Sequence, residues 1–149
     1  MASIGKWNTP SSVVSVLTTE LNALADATMS AASAPIANDT NLDMYVDVEL
    51  VLAAISPVAP AYVSIYLAEA IDGTNYPAPS TADQRQQTNA VLCSFQLSTT
   101  AATAQRLVCR NVLIPPGTFK VYLDNRAGAA MGATLNTLKI LPYNVNLNG

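Results

Sequence analysis

The sequence predicts an all-β fold, an antiparallel β-sandwich of about eight short strands with one short helix. Residues 118–124 place Phe119, Val121 and Leu123 on one face and Lys120, Tyr122 and Asp124 on the other, and residues 137–140 repeat this alternation beyond a glycine-containing connection. A period of two is the mark of a half-buried strand. The other apolar stretches are equally short, and Pro, Gly and Asn separate them. Helical spacing of apolar residues occurs once.

Taken in order, residues 1–10 read as an extended N-terminal arm in which Ile4 and Trp7 stand among polar neighbours, and residues 11–149 read as a single sandwich domain. Trp7 has two readings: it caps its own core, or it anchors the arm on a neighbouring subunit as buried Trp often does at interfaces. A strand over 13–17 comes first. Residues 19–25 then carry apolar side chains at helical spacing behind Thr19, a potential N-cap. Residues 27–34 alternate weakly, as in an edge strand that Pro35 would stop.

From Tyr45 the pattern strengthens. Val46, Val48, Leu50 and Leu52 point inward and Asp47 and Glu49 outward, while Val63, Ile65 and Leu67 repeat it after the Pro57 and Pro60 turn. The two strands are expected to pair antiparallel. Residues 72–89 contain Gly73, Pro77, Pro79 and almost nothing apolar, and predict a long surface loop of functional interest. Val91, Cys93, Phe95 and Leu97 form the next inward row. In 106–114 the alternation slips near Asn111, which predicts a bulge. Pro115-Pro116-Gly117 then breaks the chain before residues 118–124. No internal repeat or second domain is visible.

The 149 residues are half hydrophobic and only 11% charged, with a net charge of −3, and the mean hydropathy is +0.27. No run approaches the roughly 20 apolar residues of a membrane helix, so no membrane partner is expected. Nor is a nucleic-acid partner, because the seven basic residues are scattered. The first residues lack a basic region followed by an apolar one, which predicts a product that is not exported and a reducing compartment. Cys93 and Cys109, expected on neighbouring strands, then read as small buried thiols rather than a disulfide.

Chemistry has little to draw on. There is no histidine, and neither cysteine has the companions of a nucleophile. Asp39, Asn41 and Asp43 imitate the start of a calcium loop, but the sixth and twelfth positions are Met44 and Leu50 instead of Gly and Glu. Asp72-Gly73-Thr74-Asn75-Tyr76 suits a turn better than a sugar site. Asp47 and Glu49 belong to the wet face of a strand, and Arg106, Arg110, Lys120 and Lys139 read as solubilising. No catalytic residue, metal site or cofactor is expected, and the chain is read as a non-enzyme.

The succession Asp47-Val48-Glu49-Leu50-Val51-Leu52, Ile65-Tyr66-Leu67, Asp72-Gly73-Thr74-Asn75-Tyr76-Pro77, Ile114-Pro115-Pro116-Gly117-Thr118-Phe119-Lys120, Leu123-Asp124-Asn125 and Asn136-Thr137-Leu138-Lys139-Ile140 resembles small structural proteins of tailed bacteriophages. Within them it is most similar to the jelly-roll cement or decoration proteins of the capsid, over roughly residues 40–143. That resemblance implies a sandwich made in the host cytoplasm that binds the major capsid protein, commonly as a homotrimer, on the outer surface of an icosahedral head. Ile4, Trp7, Tyr76, Gln84, Arg85, Gln86 and Gln87 are the expected interface residues. Two other readings stand beside it. One is a head-completion, tail or fibre component. The other is a carbohydrate-binding sandwich, for which the only outward pair of aromatics on one strand is Tyr62 and Tyr66.

Overall fold

The computed structural model describes residues 6–77 and 90–146. They form two packed antiparallel sheets. The strands are Lys6–Trp7 (β1), Val14–Leu17 (β2), Thr28–Met29 (β3), Ile36–Asn38 (β4), Tyr45–Ile55 (β5), Tyr62–Glu69 (β6), Ala90–Gln96 (β7), Thr103–Leu113 (β8), Gly117–Arg126 (β9), Thr137–Tyr143 (β10) and Val145–Asn146 (β11). One sheet runs β2-β10-β5-β8. The other runs β3-β9-β6-β7, with β4 also pairing β9, and β1 pairs β11 in a small ribbon.

The predicted all-β sandwich is what the chain adopts, because each long strand turns one apolar row inward. Val46, Val48, Leu50 and Leu52 of β5 and Leu138 and Ile140 of β10 meet Val63 and Ile65 of β6 and Phe119, Val121 and Leu123 of β9 in one core, all nearly inaccessible to solvent. Fully burying a side chain of this size stabilises by about 1.5–3 kcal/mol.

Four expectations are corrected. The helix over 19–25 is a single 3₁₀ turn, Thr19–Leu21. Asn22 is already extended and Ala23 takes a φ of +54°, so the helix cannot propagate. The preceding Thr18 makes no side-chain cap, and the Glu20 carboxylate accepts its N–H instead, at 2.8 Å. The strands over 45–52 and 61–68 do not pair. β5 lies between β10 and β8, and β6 between β9 and β7, so their apolar rows oppose each other across the core. Val91 does not join the inward row, because the register shifts between Ile65 and Tyr66 of β6 and the side chain is turned out to solvent. Cys93 and Cys109 sit in opposite sheets, on β7 and β8.

The edge strand expected over 27–34 is regular only at β3. Beyond it, serines continue the pairing with β9: the hydroxyls of Ser30 and Ser33 accept the N–H groups of Leu123 and Val121, each at 3.0 Å. The bulge near Asn111 is present, as a register shift between β5 and β8 with Asn111 at a φ of +58°. Among the described residues no helix is long and apolar enough to cross a membrane.

Candidate interaction face

The outward face of the β2-β10-β5-β8 sheet brings acidic, basic and aromatic side chains together. Register sets it: Tyr143, Leu141 and Lys139 of β10 lie beside Tyr45, Asp47 and Glu49 of β5, and Val108 of β8 lies on the other side of Glu49. Glu49 takes Arg106 at 3.4 Å and Lys139 at 3.8 Å. These are wet ion pairs that contribute little stability.

The bulge organises one end of this face. Its turned backbone lets the N–H of Asn111 donate to Asp47 Oδ1 at 3.0 Å. The Tyr143 hydroxyl donates to Asn111 Oδ1 at 2.6 Å and lies 3.3 Å from Asp47 Oδ1. Burial and then the nearby Asp47 charge raise the Tyr143 pKa above its ordinary value, so the phenol stays protonated and keeps its role as donor.

The arm brings the tryptophan to the same place. Trp7 pairs with Val145 through β1 and β11, and the Asn8 N–H donates to the Asn144 carbonyl at 2.9 Å. The indole meets Tyr143 edge-on with centroids 5.5 Å apart, and Tyr143 stacks on Tyr45 at 5.8 Å. Trp7 thus rests on its own subunit, yet it remains 68% exposed. A cleft of about 320 Å³ opens beside it, lined among others by Asp47, Arg110, Asn111, Leu141 and Tyr143.

The remaining sequence candidates are dispersed. Tyr76 lies under the Lys120 ammonium at 4.5 Å, away from the Trp7 cleft. Ile4, Gln84, Arg85, Gln86 and Gln87 fall outside the described residues. Asp72 closes its own turn, accepting the N–H groups of Thr74 and Asn75 and the Asn75 amide. Those bonds, Asn75 foremost, lower its pKa to about 2. The Asp43 carboxylate accepts hydrogen bonds from Ser11 and Asn144, and the Asn38 side chain ties the 38–43 turn. Tyr62 and Tyr66 are half-buried, and Tyr66 packs against a small cluster of Met29, Ala68 and Tyr122. They form no open aromatic platform.

Cys93 and Cys109 are free thiols. Burial, with the Cys109 thiol beside it, pushes the Cys93 pKa up to about 12. A second groove, about 560 Å³, runs where the sheets part and is mainly apolar, with Leu42, Met44 and Leu113 exposed along it. Among the described residues no group of three or more Cys, Asp or Glu side chains could hold a metal ion.

Sequence reasoning marked Trp7 but missed Tyr143, Asn111 and Arg110 as its companions. The slipped alternation at Asn111 was the available signal, since a bulge re-aims side chains at a face. No protein-family model and no curated protein matches the chain.

Proposed function

We propose that the protein is a virion structural subunit, a cement or decoration protein that binds the major capsid protein on the outer surface of a tailed-phage head and stabilises the shell. One observation carries this reading: large apolar side chains stand exposed on several sides of a rigid sandwich. Trp7, Val13 and Val108 are on one sheet face, Leu42, Met44 and Leu113 along the parting of the sheets, and Ile71 and Leu135 are 97% and 79% exposed in loops. The grouping of Leu42, Met44 and Leu113 along one mainly apolar groove suits contact with another protein, and further exposed apolar side chains on other sides suit a subunit with several neighbours.

The winding supports the same reading. Counting β3 and β4 as one step, since both pair β9, the chain from β2 to β6 alternates between the two sheets, as do β7, β8, β9 and β10. We read this order as a jelly roll, an architecture common among viral capsid and lectin domains. A homotrimer follows from the resemblance. Three linked copies make the second and third attachments intramolecular, raising avidity on the order of 10² to 10⁴-fold, so ordinary contacts suffice.

Light scattering of the purified protein tests the trimer, with three times the 15.6 kDa of one chain expected. Adding the protein to heads that lack it tests the activity. Occupancy in many copies per head and a higher temperature of DNA release are expected, and a few copies at one vertex or on the tail would refute the cement assignment.

A further inference from the structure

The geometry points to the Trp7 cleft as a binding site for a neutral pyranose of a glycan, an activity separate from capsid attachment. Aromatic surface and hydrogen-bonding groups meet there in the combination that a sugar ring requires. The indole supplies an apolar plane for the C–H face of the ring, and its contact with Tyr143 fixes its position.

The polar groups are held ready and partly unused. Asp47 Oδ1 and Asn111 Oδ1 are taken by the bulge and by Tyr143. Asp47, Asn111 and Arg110 line the same cleft, and Asp47 Oδ2, the Asn111 amide nitrogen and the Arg110 guanidinium receive or make no hydrogen bond with any described residue. A carboxylate oxygen and two donors in one cleft can serve a pair of adjacent hydroxyls, each of which both donates and accepts. Because Tyr143 and the Asn111 backbone hold Asp47 and Asn111, binding a sugar costs little ordering of these side chains.

Charge and size select the class. Asp47 and Arg110 cancel, which favours a neutral sugar over a uronic or sialic acid. The volume of about 320 Å³ lies at the small end of ligand pockets and suits one ring of a longer glycan. Tyr62 and Tyr66, the pair singled out from sequence, lie on the opposite sheet and take no part.

Trp7 is the only tryptophan, so its emission reports on this cleft alone. The full chain is titrated with the methyl glycosides of glucose, galactose and N-acetylglucosamine, and with methyl glucuronide as the charged comparison. At least one neutral glycoside should shift the emission saturably, with a dissociation constant in the millimolar range or tighter. Arg110→Ala, at an exposed position, should weaken that response at least about tenfold through loss of a charged hydrogen bond, while Lys120→Ala on the other sheet leaves it unchanged. Saturation-transfer NMR provides a second readout in which Trp7→Ala should abolish the signal. Silence with all neutral glycosides, a response to the glucuronide alone, or a signal that survives both cleft substitutions would overturn the assignment. None of these outcomes depends on whether the protein decorates a capsid.

Discussion

Asn125 is the residue on which the loop end of the sandwich depends, and replacing it with Ala has a cost that can be worked from its bonds. Its side chain is fully buried. The amide nitrogen shares its two hydrogens among the carbonyls of Leu24, Ala25 and Ala129 at 3.0, 3.2 and 3.0 Å, and the oxygen accepts the Ala127 N–H at 3.1 Å. Not all four are orphaned in the variant. Leu24 O also accepts the Met131 N–H and Ala25 O the Thr28 hydroxyl, which leaves the Ala129 carbonyl and the Ala127 N–H without partners. An unsatisfied buried group costs about 1–3 kcal/mol, and the Ala129 carbonyl, on a half-buried residue, costs less than the buried Ala127 N–H, so Asn125→Ala should destabilise by about 2–5 kcal/mol, a large share of a typical 5–15 kcal/mol. Urea unfolding followed by circular dichroism gives the value. Asn125→Asp should be at least as damaging at neutral pH, since it points an oxygen at three carbonyls. A loss under about 1 kcal/mol for Asn125→Ala would refute this bond accounting.

Three further outcomes are expected. A Cβ on Gly132 would lie 2.7 Å from the Ala53 Cβ, so Gly132→Ala should lower stability by about 1–3 kcal/mol; an unchanged urea midpoint would count against the close approach of loop and strand. Cys93, with a pKa of about 12, should be alkylated by iodoacetamide at pH 8 on the order of a thousand times more slowly than an exposed cysteine of ordinary pKa, and rapid labelling in a peptide map would contradict its burial. The Asp72 pKa is lowered to about 2, below its unfolded value. Its contribution is therefore full above about pH 4 and fades as pH falls through about 2. The Asp72 carboxyl should titrate near 2 by NMR, and a midpoint near 4 would mean that the turn is not formed.

The strands were legible because burial on one face imposes alternation, which β5 displays over most of its length; β6 and β9 keep an apolar inward row although several residues of their other face, such as Ser64, Tyr122 and Asp124, are buried as well. Pairing was not legible. Val46 to Leu52 and Val63 to Leu67 carry the same signal whether their strands lie side by side or face each other across a core. The bulge at Asn111 disturbed a long pattern and was visible, whereas the one opposite Tyr66 fell near the start of β7 and left Val91 looking inward. The short helix failed for a local reason, as Ala23 has good helix propensity and nothing in its type announces a positive φ. At the candidate cleft the sequence supplied Trp7 alone. Tyr143 and Asn111 reach it from positions 136 and 104 residues further on, through sheet register that one sequence does not encode visibly.

The pairing of Lys6–Trp7 with Val145–Asn146 has a practical corollary for anyone attaching a passenger to this scaffold. Whatever the chain carries before Lys6 or after Asn146 sets off from neighbouring points of one ribbon beside the indole, so an addition on either side crowds the same place. Cargo is better inserted at the Gly73 turn, where the glycine faces open space.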